Sequence, residues 1–178
     1  MASKKNPENE DSASSTPQPD TPDVSLLLPV YNGIANYPDG SLRRAVESAL
    51  SSKRVSIELC IVNDGSDDNT AAFLDSINDN RVKVIHQPER TYQAEASNAA
   101  ATIASGRYMM EYSVRAWLEP DALAKMVKAL DNTPDVGFVC AQMQVHGVGA
   151  RLHTPPEFDK RVYSESFVGN FFMFRAEA

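Results

Sequence analysis

Val24-Ser25-Leu26-Leu27-Leu28-Pro29-Val30-Tyr31-Asn32 is a short, almost continuously apolar run that closes on a proline and an aromatic ring. A strand without apolar–polar alternation is covered on both faces, the habit of parallel sheets. Working outward, Asn32-Gly33 and Pro38-Asp39-Gly40 mark a loop. Leu42, Ala45, Val46, Ala49 and Leu50 then fall at helical spacing from Ser41, the expected N-cap, to about Ser52. Val55 to Val62 is a second buried strand, closed by Asn63-Asp64-Gly65-Ser66, and Asp67 to about Asn78 is a helix with Ala71, Leu74 and Ile77 inward. A third strand (81–86), an Ala-rich helix (91–105) ended by Gly106, and a fourth strand (107–112) follow. Beyond them come a helix from Pro120 to about Asn132, with Leu123, Met126, Val127 and Leu130 on one face, and a strand over 136–145. Alternating β and α elements with short loops predict an α/β domain, a mostly parallel sheet with helices on both faces. Its ligand crevice lies beyond the carboxyl ends of the strands, just after Leu28, Val62, Ile85 and Tyr112.

The 178 residues suit one domain, and 42% hydrophobic with 23% charged residues is ordinary for a globular chain. Residues 1–22 are rich in Ser, Pro and acids, with no large apolar side chain beyond Met1, and are expected to be a disordered tail before a domain spanning 23–178. A formal net charge of −7 offers no basic field, so nucleic acid is not expected as a partner, and any phosphate must be held locally. No window reaches the ~18 apolar residues of a membrane span. Cys60 and Cys140, each inside an apolar run, are expected to be strand thiols of a reducing, cytoplasmic setting.

Pro29 removes a backbone donor at the strand end while Tyr31 is delivered to the crevice mouth, either to stack on a base or simply to lie half buried at a strand edge. After the second strand, Gly65 permits a tight turn, and helix capping accounts for Ser66, Asp67 and Asp68 but leaves Asp64 without a role. A calcium loop is excluded. Counting from Asp64, the sixth position is Asn69 rather than Gly and the twelfth is Asp75 rather than Glu. Cys and His lack metal-ligand spacing, and no Gly-x-Ser-x-Gly elbow, Walker loop or Gly-x-Gly-x-x-Gly turn occurs.

Together, Val24 to Asn32 and Ile61-Val62-Asn63-Asp64-Gly65-Ser66-Asp67-Asp68-Asn69-Thr70 resemble the opening of family 2 glycosyltransferases, which transfer a sugar from a nucleotide diphosphate donor. The likeness continues through Asn98-Ala99-Ala100, Ala104-Ser105-Gly106-Arg107-Tyr108, Pro120-Asp121-Ala122-Leu123 and Phe172-Met173-Phe174-Arg175. It implies a three-layer GT-A, Rossmann-like fold and a UDP-sugar as donor. Pro29, Val30, Tyr31, Asn32, Asp64 and Gly65 would surround the nucleotide, Tyr31 stacking near the base and Asp64 accepting a hydrogen bond from the uracil N–H. Arg90 either reaches the diphosphate or is an ordinary solvated arginine. As a strand-end residue, Asp64 is expected to tolerate alanine without unfolding.

The family places an Asp-x-Asp, ligand to Mg²⁺ or Mn²⁺, where this chain has Tyr112-Ser113-Val114-Arg115-Ala116, so Ser113 and Arg115 stand at the acidic positions and no metal ligands are expected. Two readings stay open. Arg115 takes the metal's place against the diphosphate, or the motif is altered and the chain is a catalytically impaired nucleotide-sugar-binding or interaction domain. Glu111 and Glu119 do not recreate the pair. The carboxylate base that follows Phe172-Met173-Phe174-Arg175 in inverting members has no counterpart before Ala178, so a domain cut short on its acceptor side is expected and no catalytic residue is assigned. His146 and His153 are read as loop residues. The acceptor, whether glycan, lipid or protein, is open.

Overall fold

The computed structural model describes residues 21–146, 150–153 and 171–177. Residues 1–20 of the expected tail lie outside the described residues. In chain order the elements are β1 (Val24–Val30), α1 (Ser41–Leu50), β2 (Ile57–Asp64), α2 (Thr70–Asp75), β3 (Val82–Gln87) and α3 (Tyr92–Thr102). β4 (Tyr108–Glu111), α4 (Ala122–Asp131), β5 (Phe138–Cys140), β6 (Met143–Val145), β7 (Arg151–His153) and β8 (Phe172–Arg175) complete the order.

Six strands form one sheet in the order β3-β2-β1-β4-β8-β5. β1 pairs in parallel with β2 and β4, β2 pairs in parallel with β3, and β8 runs antiparallel between β4 and β5. The succession β1, β2, β3 runs to one side of β1 and β4 lies on the other, so β1 is the switch point at which an open α/β sheet leaves a crevice. Period-two side-chain alternation sorts the central strands into two layers. Val24, Leu26, Leu28, Val30, Ile57, Leu59 and Ile61 pack with Leu42, Ala45, Val46 and Ala49 of α1, Leu74 of α2 and Leu123, Met126, Val127 and Leu130 of α4. Leu27, Cys60 and Val62 face the opposite way, against Ala96 and Ala100 of α3. The three-layer arrangement expected from the apolar runs is the one observed.

Several boundaries differ from the sequence expectation. Ser41 does not cap α1. Gly40, at φ 80°, precedes the helix, and the Asp39 carboxylate accepts from both the Ser41 amide and hydroxyl. α2 begins at Thr70 rather than Asp67, because the two acids before it are drawn into the neighbouring loop. Asp68 accepts from the Ile34, Ala35 and Thr70 amides, and Asp67 accepts from the Asn32 side chain. The strand expected over 136–145 is two. β5 ends at Cys140, where the apolar run gives way to Gln142 and Gln144, and β6 pairs with β7 in a separate antiparallel ribbon.

Cys60 is buried and Cys140 half buried, and both thiols are free. They sit on β2 and β5, with β1, β4 and β8 between, so no disulfide joins them. Burial, with Glu58 nearby, pushes the Cys60 thiol up to about 12. At the end of the sheet away from the crevice, Glu58 of β2 is buried and accepts from the Ser25 and Ser105 hydroxyls and the Ser105 amide, while Lys83 Nζ lies 2.6 Å from its Oε2. Gly106 passes so close that a Cβ would meet the Ser25 amide and hydroxyl at 2.7 Å, and its own amide donates to Ser25 Oγ. Among the described residues no helix is long and apolar enough to cross a membrane.

Candidate functional site

Beyond the carboxyl ends of β1, β2 and β4 lies a cavity of about 310 Å³. Its walls bring together seven of the residues singled out in the sequence, namely Pro29, Val30, Tyr31, Asp64, Arg90, Ser113 and Arg115. Asn32 and Gly65 do not line it. The Asn32 amide side chain instead staples the loop after β1 to the loop after β2, donating to Asp67 Oδ1 at 2.6 Å and accepting from the Asp67 amide at 3.0 Å. Gly65, at φ 65°, makes room for the loop after β3. A Cβ there would lie 2.5 Å from the Glu89 carbonyl carbon and 2.6 Å from the Arg90 nitrogen, which only glycine permits.

Asp64, the last residue of β2, is 3% exposed and already has partners. One oxygen accepts from the Thr91 amide at 2.6 Å and the Thr91 hydroxyl at 2.9 Å, the other from the Tyr92 amide at 3.0 Å. The carboxylate thus ties β2 to the start of α3, so the role missing from the capping account is structural. Tyr92 takes φ 68°, a left-handed conformation that costs a bulky residue about 1–3 kcal/mol unless its surroundings hold it. The Asp64 clamp on its amide is what holds it.

The strained turn leaves the Tyr92 ring 66% exposed at the cavity wall. The Arg90 guanidinium lies 3.9 Å from the Tyr31 ring centroid and 4.6 Å from that of Tyr92. Arg90 is exposed, yet it lies over two aromatic rings, and its N–H groups make no hydrogen bond or ion pair among the described residues. Tyr31 accordingly already carries a planar cation on its face.

The loop after β4 also lines the cavity. Ser113 forms a tight turn, its carbonyl accepting from the Ala116 amide at 3.0 Å and its hydroxyl from the Arg115 amide at 3.3 Å. Tyr112 anchors this turn from below. Its buried hydroxyl lies 2.9 Å from Ser48 Oγ, 3.0 Å from the Ala116 carbonyl and 3.1 Å from the Ala45 carbonyl. Burial pushes its phenol up to about 12, so at neutral pH it keeps the proton it donates. Tyr112→Phe is expected to cost about 1–2 kcal/mol, the usual loss when a buried donor is deleted, and to speed amide exchange over 113–116. Urea unfolding with an unchanged midpoint would show that the hydroxyl holds nothing.

Sequence reasoning passed over Asn36, Tyr37, Tyr92, Gln93 and Val114 of the lining, which carry no motif, and dismissed Glu111. A glutamate ending an apolar strand was a usable signal. Glu111 Oε1 accepts from Gln93 Nε2 at 2.7 Å and Ser97 Oγ at 3.1 Å, bracing α3 against β4. Neither carboxylate of the cavity is paired with an arginine. A divalent cation does not fit these residues. Positions 113 and 115 offer a hydroxyl and a guanidinium where a hard cation needs anionic oxygens, and among the described residues no three His, Cys, Asp or Glu side chains converge on a metal position. His146 stacks on Trp117 with ring centroids 5.0 Å apart, and His153 ends β7; neither lines the cavity.

Set against known proteins, residues 25–176 match the model of glycosyl transferase family 2. Over 159 residues, 85% of the chain, the sequence is 33% identical to the chondroitin synthase of Pasteurella multocida (strain Pm70), of which the match covers 16%. The chain thus spans about a sixth of that relative's length. Among solved structures, S. aureus TarS superposes with a TM-score of 0.68 at 18% identity, covering 86% of this chain and 47% of the other. TarS has also been solved in complex with UDP. A mannosyltransferase of Pyrobaculum calidifontis, in complex with GDP-Man and Mn²⁺, superposes with a TM-score of 0.58 at 24% identity, covering 69% of this chain and 36% of the other. These likenesses show the GT-A type of fold.

Proposed function

The chain belongs to glycosyl transferase family 2, and from that premise we propose that its crevice binds a nucleotide diphosphate sugar, a UDP-sugar, as the donor half of a transfer to a glycan, lipid or protein acceptor. The carrying observation is one cavity at the switch point lined together by Tyr31, Asp64, Arg90, Ser113 and Arg115. Asp64 Oδ2 accepts a single protein hydrogen bond, which leaves a lone pair for the N–H of a uracil ring. The ring faces of Tyr31 and Tyr92 that Arg90 does not cover supply aromatic surface for the base and sugar, and the arginines supply charge for the phosphates. TarS, solved with UDP, supports the choice of uridine. The free thiols support a reducing, cytoplasmic setting.

Calorimetric titration of the full chain with UDP and with GDP tests the reading. UDP is expected to bind through its uracil N–H to the Asp64 carboxylate, and GDP, whose larger purine has to enter the same cavity of about 310 Å³, about tenfold or more weaker. Failure of both uridine and UDP to bind would refute it. A second reading, a domain that binds the donor without reacting it, is favoured by the loss of both acids at 113 and 115. UDP-sugar bound yet neither hydrolysed nor transferred, with any of the three acceptor classes, would favour that reading.

A further inference from the structure

We infer that the crevice holds its ligand's diphosphate between two guanidinium groups, Arg115 and Arg90, with no divalent cation. This rests on the nucleotide reading above and adds the source of the charge that offsets the phosphates. A chain of net charge −7 repels a diphosphate at long range, so attraction has to come from cations within a few ångströms. The cavity has two. The carboxylates that share it, Asp64 and Glu111, are bound by neutral donors and neutralise neither arginine.

The two arginines are prepared differently. Arg90 is exposed but rests over the rings of Tyr31 and Tyr92, contacts that restrict its rotamers before a ligand arrives. Arg115 rides on a turn fastened by Ser113 from within and by Tyr112 from below, and its exposed side chain has no partner among the described residues. Its backbone is fixed while its head is free to close on an oxyanion. Guanidinium matches a phosphate with two parallel N–H···O bonds and carries its charge at every physiological pH. The same charge opposes a divalent cation in that position.

Calorimetric titrations of the full chain with uridine and with UDP, each in EDTA and then in Mn²⁺, test this. In EDTA, UDP is expected to bind about 10- to 100-fold more tightly than uridine, the yield of one or two charge-assisted pairs. Mn²⁺ is expected to leave that ratio within about twofold, and Arg115→Ala to abolish most of it while uridine affinity stays unchanged. Arg115→Lys, which keeps charge but not the fork, should recover only part. A UDP affinity that rises tenfold with Mn²⁺, equal affinities for uridine and UDP in EDTA, or an Arg115→Ala protein that still discriminates would each overturn the inference while leaving a nucleoside site in place. Absence of binding by both would instead bring down the nucleotide reading and the inference with it.

Discussion

Asp64→Ala is expected to lower the stability of the fold by about 3 kcal/mol and to abolish measurable nucleotide binding. The first effect follows from three hydrogen bonds to one buried carboxylate. Each bond to a charged group is worth about 1.5–3 kcal/mol, and water reaching the half-exposed Thr91 side recovers part of the sum. The second follows even for molecules that stay folded. Without the clamp on its amide, Tyr92 can leave φ 68°, its ring swings away, and Arg90 loses one of the two rings that hold it. This reverses the expectation that a strand-end residue tolerates alanine. Asp64→Asn separates the two roles, since the amide oxygen can still serve Thr91 while the NH₂ group opposes the Tyr92 N–H, and it should cost about half as much stability. Urea unfolding checks the first effect and calorimetry at a temperature where the variant is folded checks the second. An Asp64→Ala protein with wild-type stability would show that the clamp does not form.

The order of elements and the position of the crevice could be read from Val24–Tyr31 and Val55–Asp64, because strands covered on both faces leave an unbroken apolar signature. The inward faces of α1 and α4 could be read from helical spacing for the same reason. What could not be read depends on contacts across long separations. Asp64 meets Thr91 and Tyr92, Asn32 meets Asp67, and Tyr112 meets Ser48; in each case a polar side chain finds a backbone or hydroxyl partner that no local spacing announces. Tyr92 and Arg90 show the limit most plainly. Each looks like surface in its own segment, and only the Gly65 turn and the Asp64 clamp set Arg90 over both Tyr92 and Tyr31. The fork of β5 from β6 escaped because Gln142 and Gln144 were counted inside an apolar run rather than as its end.

Glu58→Leu is expected to be the most destabilising single change away from the crevice, about 3 kcal/mol or slightly more, and to flatten the acid limb of the stability curve. Leucine keeps the volume but strands the Ser25 hydroxyl and the Ser105 amide beneath α3, and leaves Lys83 without its ion pair. Removing one member of a buried pair costs about 3–5 kcal/mol, and the half-exposed Lys83 can turn to water, which places the loss at the lower end. The sign of the pH effect follows from the direction of the shift. Burial pushes the Glu58 carboxyl up, but hydrogen bonds from Lys83, Ser25 and Ser105 outweigh it and hold the group below its ordinary value of 4.5. A carboxyl depressed in the folded state stabilises fully above its unfolded value and loses that contribution as pH falls through the folded one. Wild-type stability should therefore be flat from neutral pH to about 5 and fall below it, where Asp23, depressed despite burial through Arg107 and Ser56, and Asp131, depressed despite burial through Tyr108 and Arg107, add their own share. The variant should begin lower and fall less steeply. Urea midpoints between pH 7 and pH 3 measure both slopes, and parallel curves would mean that Glu58 is not the carboxylate whose protonation loosens the sheet.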